Sequence, residues 1–295
     1  SWVWIFILRS LNPYIHTFSL VNRYIGTSVY LYFLHYVSYT QKAGMISIQE
    51  VRGSAMNKVY INLPYKLYAG YPQWVPPLYG DEKKFHDPGH NEALAYCSVE
   101  RWVAYDGDVP KGRVMGIINH PYNQKQGEKT ARFYQLDCVN DALVCRSLLE
   151  TVETWAREKG MQKIIGPFGF SDKDPQGIKI EGFEYPAVLL SPANPPYLRT
   201  LIESEGYGKE LDCLSYELPI PRELPQTYQR ICDRVRSRNK VFLREFTRRS
   251  QLKPFIKPVL HLLNETYTEI FGFVPLSDAE IEKLAAQYLP ILNPK

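Results

Sequence analysis

The sequence predicts a mixed α/β fold, one central sheet flanked by helices, followed by the start of a second domain built in the same order. Three observations carry this. Residues 99–106 and 111–120 are alternating strands joined through Asp106-Gly-Asp-Val-Pro110, a hairpin link with a glycine for the positive-φ position. A third strand at 131–139 leads into a long amphipathic helix and then a short buried strand at 162–166, a crossover that implies parallel pairing. After Pro221 the same order partly restarts.

Taken in order, Ile46-Ser-Ile-Gln-Glu-Val51 alternates apolar and polar residues and reads as a half-buried strand. A helical stretch follows over 55–68, interrupted at Pro64, and then a loop rich in proline and aromatics, Tyr71-Pro-Gln-Trp-Val-Pro-Pro-Leu78. Asn140 or Asp141 caps the long helix, which carries Leu143, Leu148, Val152 and Trp155 on one stripe and stops at Gly160. Residues 166–196 form a long loop rich in Gly, Pro and Asp. A helix at 196–205 and a strand at 211–218 complete the first domain.

The second stretch reads as a strand at 240–247, a helix at 257–270 and a helix at 277–288 opened by a Ser-Asp-Ala-Glu capping box. Phe273-Val-Pro-Leu276 stands between those helices where Trp74-Val-Pro-Pro-Leu78 stands in the first domain. The recurrence, with the shared element order, predicts a tandem repeat. A β-α-α piece cannot bury its own sheet face, so the second copy is expected to continue beyond Lys295.

Residues 1–44 differ from the remainder: they hold no Asp or Glu, six tyrosines, and precede the first methionine, Met45. Asn12-Pro13 and Asn22-Arg23 break their apolar runs below the length of a membrane span. They are read as a non-native or upstream leader outside the fold, which gives boundaries of 1–44, 45–221 and 222–295. Without Arg9, Arg23 and Lys42 the formal charge falls from +4 to +1, so the basic balance does not argue for nucleic acid. Five cysteines without a C-x-x-C or framework spacing suit a reducing cytoplasm, and with the leader set aside no membrane partner is expected.

Several segments resemble an N-acetyltransferase-like branch of the GNAT superfamily, the acyl-CoA N-acyltransferase fold. These are Leu63-Pro-Tyr-Lys-Leu-Tyr68, Trp74–Leu78, Lys111-Gly-Arg-Val-Met-Gly-Ile-Ile118, Trp155-Ala-Arg-Glu-Lys-Gly160, Gly166-Pro167, Gly182-Phe183 and Asn194-Pro-Pro-Tyr197. The resemblance covers about Met45 to the end and implies acyl transfer from acetyl-CoA or another acyl-CoA to an amine of unknown identity. It places cofactor contacts at Cys138, Val139, Asn140 and Ala142, where such proteins commonly carry an Arg/Gln-x-x-Gly-x-Gly/Ala turn, and adds Asn194. Here that turn, Val139-Asn-Asp-Ala-Leu-Val-Cys145, has no glycine, and Asp141 is expected to cap the helix and repel a phosphate. The usual acid position before Gly206-Tyr207 falls on Ile202, so Tyr197 is the candidate acid.

The loop 166–196 is the strongest candidate site, because ligands of α/β sheets bind beyond the carboxyl ends of strands. Ser171, with Asp172, Lys173 and Asp174, supplies polar groups, and Phe168, Phe170 and Phe183 supply apolar walls. Asn194 is placed to cap the helix after it. His86 and His90 flank Pro88-Gly89 and read as a solvated loop, not a zinc site. The basic run from Arg230 to Lys253 reads as a solvated face. The alternative function is a fold-mate that binds without catalysing, since the pyrophosphate turn is degraded.

Overall fold

A computed structural model describes residues 2–10 (backbone only), 45–187, 191–216, 219, 221–223, 225–238, 242 and 244–293. It divides into two compact units, residues 1–215 and 216–295. The first unit contains, in chain order, β1 (Trp2–Ser10), β2 (Ile46–Glu50), α1 (Gly53–Leu67), α2 (Tyr79–Phe85) and α3 (Ala93–Tyr96). There follow β3 (Cys97–Asp106), β4 (Val109–Asn119), α4 (His120–Gln126), β5 (Thr130–Cys138) and α5 (Ala142–Glu158). The unit ends with β6 (Lys163–Gly166), β7 (Ile178–Lys179), α6 (Tyr197–Ser204) and β8 (Gly208–Ser215).

Strands β2 to β6 lie side by side in sequence order and form a five-stranded mixed sheet flanked by helices. β2–β3, β3–β4 and β4–β5 pair antiparallel, and β5–β6 pairs parallel, with Thr130–Arg132 opposite Lys163–Ile165. This is the mixed α/β sheet that the hairpin and the crossover imply. Alternation along β3 and β4 sends side chains to two cores. Trp102, Ala104, Val114 and Ile118 pack with Phe133 under α5 and α6, while Val103, Tyr105, Met115 and Ile117 pack under Tyr60, Ile61 and Leu63 of α1. Gly116 has no Cβ because Trp155 stands there: an added Cβ would lie 2.9 Å from its ring.

Beyond β6 the sheet continues through β1, whose one edge pairs antiparallel with β6 and β7 and whose other edge pairs with β8. The sequence reading set residues 1–44 outside the fold. The structure instead uses Trp2–Ser10 as a strand, since an apolar run too short to cross a membrane is long enough to fill a sheet position. The remainder of that leader, 11–44, lies outside the described residues.

Three other expectations change. α1 is continuous through Pro64, where an interruption was expected. Proline there cannot donate to the Tyr60 carbonyl, but Arg113 Nη1 donates to that oxygen instead at 2.9 Å. The last strand of the unit lies at 208–215, three residues earlier than its alternation suggested. In the second unit the described residues of 240–247 form no strand.

The second unit holds α7 (Gln226–Ser237), α8 (Arg249–Thr266) and α9 (Asp278–Tyr288). Part of the basic run is therefore helical, with Arg230, Arg234 and Arg236 on exposed α7. Ser277 caps α9 through the expected box, its hydroxyl accepting from Glu280 N–H while the Glu280 carboxylate accepts from Ser277 N–H. The Asn264 amide holds Leu276 by both backbone groups, each at 2.8 Å, which fixes the loop between α8 and α9. Phe273 and Val274 of the recurring motif are buried, whereas Trp74 is half-buried and Val75 exposed.

Candidate functional site

The parallel pairing of β5 with β6 lasts three residues. β5 then runs on to Cys138, while β6 ends at Gly166. Gly166 permits the parting: a Cβ on it would lie 2.3 Å from the Phe133 carbonyl oxygen, which instead accepts from Phe168 N–H at 2.8 Å. Across β5 the register with β4 shifts between Arg113 and Met115, and Gln135 takes a φ of 47°, unusual for a residue with a side chain. A cavity of about 690 Å³ opens beside this stretch. Tyr134–Asp137 of β5 form one wall, Pro167, Asp174, Gly177 and Ser191 to Asn194 another, and Trp74–Leu78 with α2 the cover.

A charged cluster lines it. Arg113 on β4 is buried and donates from Nε to Asp137 Oδ2 at 2.7 Å, with Nη1 3.7 Å from Glu82 Oε2. Burial opposes its charge, but Asp137, with Tyr60 and Glu82, outweighs that and holds the guanidinium protonated. The Gln135 amide donates to the Glu82 carboxylate at 3.3 Å and accepts from the Tyr60 hydroxyl at 3.0 Å. Burial raises the Glu82 carboxyl above the ordinary range, against the pull of Arg113. His86 packs its ring edge-on to Tyr60 and Phe85 beneath this cluster. Burial, and the Arg101 and Arg113 charges, push it down to about 2, so it is neutral. The expectation of a solvated His86 is thus corrected; only His90 of that pair is exposed, paired with Asp87. No metal-capable group of three side chains occurs among the described residues.

On the opposite wall stands Asp174. Its carboxyl accepts from Phe170 N–H at 2.7 Å and Ser171 N–H at 3.3 Å. Burial pushes it up to about 6, against those two N–H groups and Arg132. Arg132 holds the same turn from below, Nη1 donating to the Gly169 and Phe170 carbonyls at 2.8 Å each while its plane stacks on Phe168. Phe168 and Phe170 belong to this packing and are buried; among the three phenylalanines expected as pocket walls, only Phe183 lines a cavity. Tyr134 also lines the cavity, its phenol raised by burial and by the Asp174 and Glu82 charges.

The residues singled out in the sequence fall around this cavity more than in it. Ser171 accepts from Lys173 N–H at 3.2 Å in a local turn. Tyr197 donates its hydroxyl to the Cys138 carbonyl at 2.7 Å and so ties α6 to the end of β5. Cys138 is buried against Cys145. Val139 N–H is taken by Lys111 O at 2.9 Å, and Asn140 and Ala142 are exposed. Asp141 caps α5, accepting from Leu143 N–H at 2.8 Å. That turn does not fit a pyrophosphate, because a carboxylate already occupies it.

Asn194 does not cap α6, whose first flanking residue is Pro196 with no side-chain cap. Its amide instead accepts from Lys179 N–H at 2.7 Å and donates to Lys179 O at 3.2 Å, mimicking a strand partner for β7. It also lines the cavity. A smaller cavity of about 180 Å³ shares Trp74, Ala193 and Asn194 with the larger one and contains Lys179. Glu82, Gln135 and Asp137 carried no sequence signal of their own, since no motif spacing links them; Arg113 stood only within one of the segments quoted for the resemblance, and Asp174 was marked only by the loop it belongs to.

No family model matches the chain. It is 27% identical over 256 residues to Protein YghO of Escherichia coli, covering 85% of this chain and 65% of that one. It is 26% identical over 249 residues to the bacterial ceramide synthase of Caulobacter vibrioides, covering 84% and 64%. Among solved structures it superposes on a functionally unknown conserved protein from Staphylococcus epidermidis (TM-score 0.36, 11% identity, 72% of this chain and 59% of that one). A second, named provisionally as an acetyl transferase, comes from Pyrococcus furiosus (TM-score 0.34, 19% identity, 60% and 100%). Superpositions that loose leave the strand order and register as the basis for the fold. The chain spans just under two thirds of the length of each curated relative it matches.

Proposed function

We propose that the first unit carries the site of an N-acyltransferase, which makes an amide from a thioester donor and an amine. The observation that carries this reading is the cavity where β5 and β6 part, with the half-buried carboxyl of Asp174, pushed up to about 6, in its wall. A general base works best when its pKa lies close to the working pH. The relative named a ceramide synthase supports the reading from outside, since a ceramide is an N-acylated long-chain amine.

In this reading the neutral amine nitrogen attacks the thioester carbonyl carbon and forms the C–N bond. Asp174 takes the proton that the nitrogen sheds. The C–S bond breaks, the electron pair leaves with sulfur, and the same proton passes to it, so that amide and free thiol depart and the carboxylate is regenerated. The Arg113 cluster fixes the irregular stretch of β5 that walls the cavity.

The test is thiol release by the full-length protein given an acyl-CoA and a long-chain amine. Asp174→Asn is expected to lower kcat by about 10²-fold or more with the fold retained. An unchanged rate in that variant, or no amine-dependent thiol release in the wild type, removes the reading. A second reading, binding without catalysis, is favoured by the Asp141 cap on α5; it predicts acyl-CoA or amine binding with no turnover.

A further inference from the structure

We infer that the small pocket around Lys179 is the subsite for the phosphate of the donor arm, in place of the N-terminus of α5. This rests on the acyl-transfer reading above. A phosphopantetheine thioester has its reactive sulfur at one end of an extended arm and a phosphate at the other. If the thioester lies in the larger cavity, the phosphate needs a cationic or N–H-rich partner at the end of that arm. The N-terminus of α5 is a poor partner, because the Asp141 carboxylate accepts from Leu143 N–H and places a negative charge at the N-cap.

The adjoining pocket offers what that turn lacks. Its volume, about 180 Å³, accommodates a phosphate group, and Trp74, Ala193 and Asn194 stand at the border it shares with the larger cavity. Lys179 is the charged residue in its lining and is 4% exposed. Asn194 clamps the Lys179 backbone from both sides, and the ammonium donates to the Tyr185 carbonyl at 2.7 Å and lies 5.8 Å from the centre of the Phe183 ring. Lys179 shares this lining with the aromatic rings of Tyr71, Trp74 and Phe183, where an anion gains more from a cation than at an open surface. Burial favours losing its proton, and the nearby Glu184 carboxylate favours keeping it. Glu184 is also the anion with which a phosphate competes.

Calorimetric titration with pantetheine and with 4′-phosphopantetheine separates the phosphate from the remainder of the arm. In the wild type the phosphate is expected to tighten binding about tenfold or more, about 1.4 kcal/mol. Lys179→Met should abolish that increment, Lys179→Arg should keep most of it, and Glu184→Gln should enlarge it without touching the lysine. Melting curves verify that each variant folds, and the Glu184→Gln result stands by itself if Lys179→Met does not. An equal phosphate increment in Lys179→Met, or none in the wild type, overturns the assignment. So does a Lys179→Met effect confined to the KM of an anionic amine, which would make the pocket an acceptor subsite. If pantetheine binds and thioester turns over while the phosphate increment ignores Lys179, this inference fails and the acyl-transfer reading stands.

Discussion

Asp174 shows how one carboxyl carries both a cost and a use. Its folded-state value, about 6, lies above the 3.8 of an unperturbed aspartate, so the fold favours the protonated form. That contribution is fully present below pH 4 and is lost as the pH rises through 6. Asp174→Asn stays neutral throughout. Chemical denaturation at pH 4 and at pH 7.5 should therefore find the stability difference moving in favour of the variant as pH rises, while wild-type acyl transfer increases over the same interval. A difference that does not move with pH would mean that the carboxyl is not buried as described. Asn194 and Ser171 separate scaffold from surface in the same loop. Asn194 makes three bonds to backbone groups, so Asn194→Ala should cost about 2 kcal/mol. Ser171 bonds only within its own turn, and Ser171→Ala should change the melting temperature little.

At the scale of elements, Arg113 joins four of them. From β4 it reaches Asp137 on β5, the Tyr60 carbonyl that Pro64 leaves without a donor in α1, and Glu82 on α2. Arg113→Met removes the cation and leaves two carboxylates and a carbonyl facing one another in a buried space. The expected loss is about 3–5 kcal/mol, measured by denaturant titration, because an uncompensated buried charge costs more than the pair contributed. A loss below about 1 kcal/mol would show that water reaches the cluster. Periodicity made the elements themselves legible: the α5 stripe of Leu148, Val152 and Trp155 and the β3–β4 alternation were readable because each buries one face. α7 was not, because its charged residues are as many as its apolar ones and none of its side chains is buried.

For the whole first unit, the open question in the sequence is the leader. The structure gives β8 a partner in β1, which also completes the edges of β6 and β7. Beginning the chain at Met45 would expose those edges. The expected outcome is a clear fall in melting temperature and faster amide exchange along β8. An unchanged melting temperature would show that another strand serves β8, and that residues 1–44 are dispensable as their acid-free composition suggests. The chain spans just under two thirds of its curated relatives, so activity measurements belong to the full-length protein.

By itself the sequence determined what local physics encodes: the hairpin of β3 and β4, the capped α5 crossover that makes β5 and β6 parallel, and the Ser277 box on α9. It also showed an α5 turn without glycine and with Asp141 placed to cap the helix, and the structure has that cap. The candidate site was decided only by tertiary structure. Glu82, Arg113, Gln135, Asp137 and Asp174 are scattered over 93 positions of chain and share no motif. They meet because β5 outruns β6 and leaves a gap that α2 and the loop after β6 close over. Once enclosed, Glu82 and Asp174 acquire raised carboxyl pKa values through burial, and the proposed chemistry depends on that of Asp174.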